Sequence, residues 1–165
     1  ERQATLAREL GMPLFLHERD RPQEKGGPLG SHADLLAVLD RVAIPPELVC
    51  VHCFTGHSEV LRSYVRRGYF VGLTGFAAMR SRGADLRRAL VAGALPLSQL
   101  MLETDCPFMK PDRDYLPDIR TLQRGQCEPC CVTSVCRAVA ECMSLPAAEV
   151  ARVTTANAQR FFHLP

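Results

Sequence analysis

Four short, nearly unbroken apolar runs constrain this chain more than any other feature. They are "PLFLH", "LVCVH", "YFVGL" and "LMLET", beginning at Pro13, Leu48, Tyr69 and Leu100. A strand with one wet face alternates polar and apolar residues, and these do not. Strands apolar on both faces belong to a parallel sheet covered by helices. The intervening stretches have helical spacing. "ERQATLAREL" carries Leu6 and Leu10 and stops at Gly11. "HADLLAVLDRV" sets Leu35, Leu36 and Leu39 on one face, with Ser31 expected as its cap. "HSEVLRSYVRRG" ends at Gly68, and "GADLRRALVAGA" precedes the fourth run. "RPQEKGGPLGS" is rich in Pro, Gly and charge and reads as a loop. Beyond Pro111 the strand signal stops. "CCVTSVCRAVAECM" and "PAAEVARVTTANAQRFF" read as two closing helices, with Ser144 as a cap between them.

That order leaves a (β/α) barrel or a doubly wound sheet. No glycine-rich phosphate loop follows any strand, which weakens the nucleotide-binding form of the second. A length of 165 residues suits one domain. A net charge of +2 is too small to argue for bulk polyanion binding. No apolar run approaches the roughly 18 residues that would span a membrane, so no membrane partner is expected. Eight cysteines, many inside apolar stretches, suit reduced thiols and an intracellular protein, cytoplasmic or nuclear. The first residues read as the middle of a helix without an initiator methionine, as in a piece of something longer.

The strand ends carry the chemistry. The first run ends at His17, followed by Glu18, Arg19 and Asp20; the second ends at His52; the fourth is expected to end at Asp105. In parallel α/β folds that edge is where active sites lie. Two imidazoles and a carboxylate suit a divalent metal, with magnesium, manganese and zinc all compatible. Such an ion acidifies a bound water or polarises an ester oxygen. Arg19 either holds a phosphate or carboxylate or pairs with Glu18 or Asp20. Phe54 and Phe108 follow the expected ligands closely, as floor packing or as a face on which a base stacks. Lys110, Arg113 and Arg124 form a solvated rim or add affinity for a phosphodiester.

"PLFLHERD", "VHCFTG", "YFVGLTGF" and "LETDCPF" resemble, in order, signature segments of the TatD-type deoxyribonucleases, metal-dependent hydrolases built on TIM barrels. The resemblance runs from Glu1 to the "TTANAQRFF" tail. It implies metal-dependent hydrolysis of DNA phosphodiesters, with an exonuclease habit and single-stranded DNA or 3' ends as partners. It places metal ligands on His17, His52 and Asp105, with Asp105 also orienting or deprotonating the water. Glu103 would turn away from the metal and support Asp105, with Thr104 also in a supporting place, and the complete site would hold two divalent ions.

The family's opening His-x-His strand and its metal-bridging glutamate have no counterpart before His17. The chain therefore reads as the second half of a (β/α)8 barrel, residues 1–165 forming a partial hydrolase domain. Roughly 100 residues of a usual barrel are lacking. The family's Arg-Asn-Glu-Pro appears as Gln126-Cys127-Glu128-Pro129, and the loop after His17 is longer than expected. In "CEPCC" the spacing from Cys131 to Cys136 is poor for a zinc site, and ordinary helix cysteines are expected over a zinc or redox pair. Two other readings stand beside the nuclease: a barrel fragment acting as an interaction module or pseudoenzyme, and a metal-dependent hydrolase of an amide or lactone.

Overall fold

A computed structural model describes residues 1–20, 26–27, 29–116 and 126–165. Arg124 and most of the long loop after His17 lie outside them. The expected alternation is present: α1 (Arg2–Leu10), β1 (Leu14–His17), α2 (Ser31–Val42), β2 (Val49–His52), α3 (Ser58–Arg66), β3 (Phe70–Leu73), α4 (Ala84–Val91), β4 (Leu100–Leu102), α5 (Val132–Met143) and α6 (Ala147–Phe161). The strands form one parallel sheet in chain order, β1-β2-β3-β4.

The period of two along each strand divides the sheet into two faces. Val49, Val51, Val71, Leu73 and Leu100 turn to the main core beneath the helices. Cys50, Phe70 and Met101 turn the other way and pack on Phe161 at the end of α6. Phe15 shares this second face. Its ring stacks on His52 at 4.8 Å and touches Phe162 at 5.8 Å, yet it remains 45 % exposed. A buried amide fixes α6 below the sheet: Asn157 Nδ2 donates to Leu97 O at 2.9 Å and Leu100 O at 2.8 Å.

Gly11 closes α1 in the left-handed conformation, as its sequence position suggests. One expected cap is corrected and one is present. Gly30, not Ser31, is the N-cap of α2; Ser31 is its first helical residue and spends its hydroxyl on Glu18. Ser144 is the C-cap of α5 with φ 53°, between the two closing helices as expected, and α6 starts after Pro146 without a side-chain cap. Cys127, Cys130 and Cys131 precede α5 rather than lying within it. All eight cysteines are free, and among the described residues no three His, Cys, Asp or Glu side chains gather as a metal cage.

Candidate metal and phosphodiester site

Register builds the centre of the site. His17 and His52 are directly paired on adjacent parallel strands, so both side chains leave the sheet on one face. His17 Nδ1 and His52 Nε2 stand 3.2 Å apart. On the far side of its ring, His52 Nδ1 lies 3.3 Å from Glu103 Oε2. A carboxylate there accepts a hydrogen bond from Nδ1–H and leaves the Nε2 lone pair aimed at His17. Two nitrogens sharing one ion at about 2.0–2.1 Å would be roughly 3.0–3.4 Å apart, which the observed spacing matches.

Glu103 reaches His52 by crossing β3. It leaves β4 with its N–H on Leu73 O, and its carboxylate also accepts the Cys53 N–H at 2.7 Å. The crossing is open only because residue 72 is glycine. A Cβ there would sit far inside van der Waals contact of Glu103 Oε1. Glu103 thus supports His52, where the family resemblance implies support of Asp105. Thr104 does something else: its Oγ1 accepts from Cys106 N at 3.4 Å, shaping the following turn.

Asp105 is not a strand tip. β4 ends at Leu102, and Asp105 sits three residues on with φ 53°. It lines the same cavity as His17, and its Oδ2 accepts from the Cys53 thiol at 3.4 Å. Burial first, then the Asp105 charge and hydrogen bond, push the Cys53 thiol up to about 12, so it stays a proton donor rather than a nucleophile. Cys53, Asp105 and Met109 all hold left-handed backbone without being glycine, and such residues concentrate at functional rims. The imidazole pair is therefore assembled, while the carboxylate borders it without completing a three-ligand set. The nitrogen and carboxylate donors fit a divalent ion in kind.

Arg19 is aimed by its neighbours. Glu18 accepts from Ser31 Oγ at 2.5 Å and Tyr64 Oη at 3.2 Å. Asp20 accepts the N–H groups of Leu29, Gly30 and Ser31 at 2.6, 2.9 and 3.0 Å. With residues 18 and 20 turned to the helices, His17 and Arg19 are exposed and line the cavity. Among the described residues Arg19 is in no ion pair. Behind Glu18 runs a chain that sequence reasoning missed. His32 Nδ1 meets Tyr64 Oη at 2.9 Å, and His32 Nε2 meets Ser63 Oγ at 3.0 Å.

The cavity holds about 680 Å³ and is also lined by Phe108, Lys110, Met79 and Arg82. Phe108 is 68 % exposed, open for stacking. Phe54 is not. It is 2 % exposed, belongs to the main core and meets Tyr64 edge-on at 6.1 Å. The expectation that Phe54 binds substrate is corrected: its N–H bonds Gly72 O, which turns the ring down into the core.

A parallel α/β sheet with paired imidazoles at its carboxyl edge is the kind of frame on which metal-dependent hydrolases build their sites. The chain belongs to the TatD related DNase family, whose model matches residues 1–163. It is 35 % identical over 160 residues to the 3'-5' ssDNA/RNA exonuclease TatD of Cronobacter sakazakii, covering 97 % of this chain and 55 % of that protein. Against the enzyme of the same name from Erwinia billingiae it is 36 % identical, covering 99 % and 56 %. The crystal structure of a TatD homologue from Escherichia coli superposes with TM-score 0.75 at 27 % identity, covering 99 % of this chain and 54 % of that one. The chain thus spans about half the length of these relatives. The family implies divalent metals.

Proposed function

We propose that residues 1–165 are the carboxyl-terminal half of a (β/α)8 barrel that hydrolyses phosphodiesters of single-stranded DNA or RNA from 3' ends. The half-length match and four parallel strands in chain order, with β1 and β4 as the edges, support the half barrel. The observation that carries the function is the His17–His52 pair backed by Glu103.

His17 Nδ1 and His52 Nε2 would hold magnesium, manganese or zinc, with Asp105 as the adjoining carboxylate. When bound, the ion acidifies a water and neutralises charge on the phosphoryl oxygens. Glu103 keeps His52 in the tautomer that presents Nε2. Asp105 orients the attacking water and accepts its proton. Arg19 holds a nonbridging phosphate oxygen, and Phe108 stacks the adjacent base.

The test joins this chain to the rest of its barrel and follows cleavage of a 3'-labelled single-stranded DNA. Chelator abolishes cleavage, and Asp105→Asn lowers it by about 10²–10⁴-fold, the range of a lost general base. Full activity in that variant would remove Asp105 from the reaction.

A further inference from the structure

Several features lie outside the chemistry just described: the thiols around Cys127, an apolar hollow between α5 and α6, and the turn from Met79 to Gly83. The turn carries an inference furthest. It is held from both sides. Arg80 N donates to Asp112 Oδ2 at 2.8 Å, and the Arg80 side chain pairs with Asp114 at 3.5 Å and lies over Tyr115. Gly83 N donates to Met79 O at 2.8 Å, and a Cβ at Gly83 would collide with the carbonyl of Phe76. The turn is therefore pinned to the chain that follows Asp105 and to the chain that follows β3.

Between those two anchors, Ser81 and Arg82 face outward. Arg82 lines the cavity, its guanidinium 6.0 Å from the centre of the Phe76 ring. Resting over a ring limits where the guanidinium swings and leaves its N–H edge available for hydrogen bonds. Its neighbours differ. Arg80, Arg87 and Arg88 are each in an ion pair, with Asp114, Glu141 and Asp85. Among the described residues Arg82 is in none. Arg19 and Arg82 thus bring two unspent guanidinium forks to one cavity, with exposed Phe108 on its wall.

We propose that Arg82 binds a second backbone phosphate of a single-stranded polynucleotide, next to the phosphate at the histidine pair. One arginine per phosphate, with a base on Phe108 between them, favours an oligonucleotide over a mononucleotide. This rests on the nuclease reading above and adds to it a residue and a minimum substrate length.

The experiment uses the 165-residue chain in calcium with two probes, fluorescein-labelled dT10 and dTMP, titrated across a salt series. Arg82→Ala weakens dT10 by about tenfold, as loss of one charge-assisted contact does. It also lowers the slope of log K against log salt by about 0.7, one phosphate's share for a single strand. Affinity for dTMP stays unchanged. Arg82→Lys restores the slope, because the slope counts charge. Arg88→Ala, on the far-facing ion pair with Asp85, changes none of these. An Arg82→Ala protein with unaltered dT10 affinity and slope overturns the inference and leaves the nuclease reading standing. A wild-type chain that binds no dT10 also overturns the inference, while the nuclease reading is decided by cleavage in the joined barrel.

Discussion

At Gly72 a missing side chain decides the geometry of the site. Glu103 starts just past the end of β4 and serves His52 on β2, so its carboxylate has to pass over β3. In the sequence Gly72 reads only as a small residue in a strand, and nothing local ties it to a carboxylate 31 positions on. Gly72→Ala displaces Glu103 and lowers manganese affinity by about 10–100-fold, as loss of a supporting partner does. Calorimetry on the variant checks this; unchanged affinity would mean that His52 needs no such support. His32 gives a pH signature. Burial lowers its pKa below 6.5, helped by Arg67 and opposed by Glu18. The ring is neutral in folded and unfolded chains above that value, and its stabilising contribution is then complete. Below 6.5 the unfolded chain takes up the proton first, so stability falls as pH drops towards the lowered folded value. Melting temperature should decline more steeply on acidification in wild type than in His32→Asn. Parallel declines would remove His32 from the acid response. His17, His52 and Arg19 were legible because each stands at or just after a strand end. Phe54 misled because sequence shows nearness to a histidine but not the direction of a ring.

Among the elements, the strands and helices were legible wherever periodicity was strong, and their ends were not. β4 stops at Leu102, so Glu103, Thr104 and Asp105 leave the sheet one after another and face different partners. Sequence spacing treats them as a continuation of the strand, because a left-handed aspartate leaves no local signal. The Ser31 cap failed for a similar reason. Serine is a good cap in general, but Ser31 is bound by Glu18 and the turn before it is closed by Asp20. Helix α6 has a role its amphipathic pattern does not reveal. Asn157, 3 % exposed, satisfies two carbonyls at the entry to β4, and Phe161 closes the opposite face of the sheet. Asn157→Ala should cost about 1 kcal/mol for each of the two hydrogen bonds lost, Leu97 O keeping the Leu100 N–H as a donor. A lower urea midpoint with an unchanged slope would show it. An unchanged midpoint would mean that α6 is held by its apolar contacts alone.

For the molecule as a whole, the four βα repeats made the fold class readable, because buried parallel strands and covering helices impose one hydrophobic pattern on the sequence. In the proposed barrel, the completeness of the site belongs to the whole assembly, and no local pattern reports it. The imidazole pair needs only β1 and β2 in register, with Glu103 from β4, and all three are within this chain. The central claim is that this pair is a metal site. It is tested most directly by titrating manganese into the 165-residue chain by calorimetry, beside His17→Ala and His52→Ala. Saturable binding is expected in the wild type, and either substitution abolishes it. Binding that survives both substitutions, or no binding by the wild type, would contradict it.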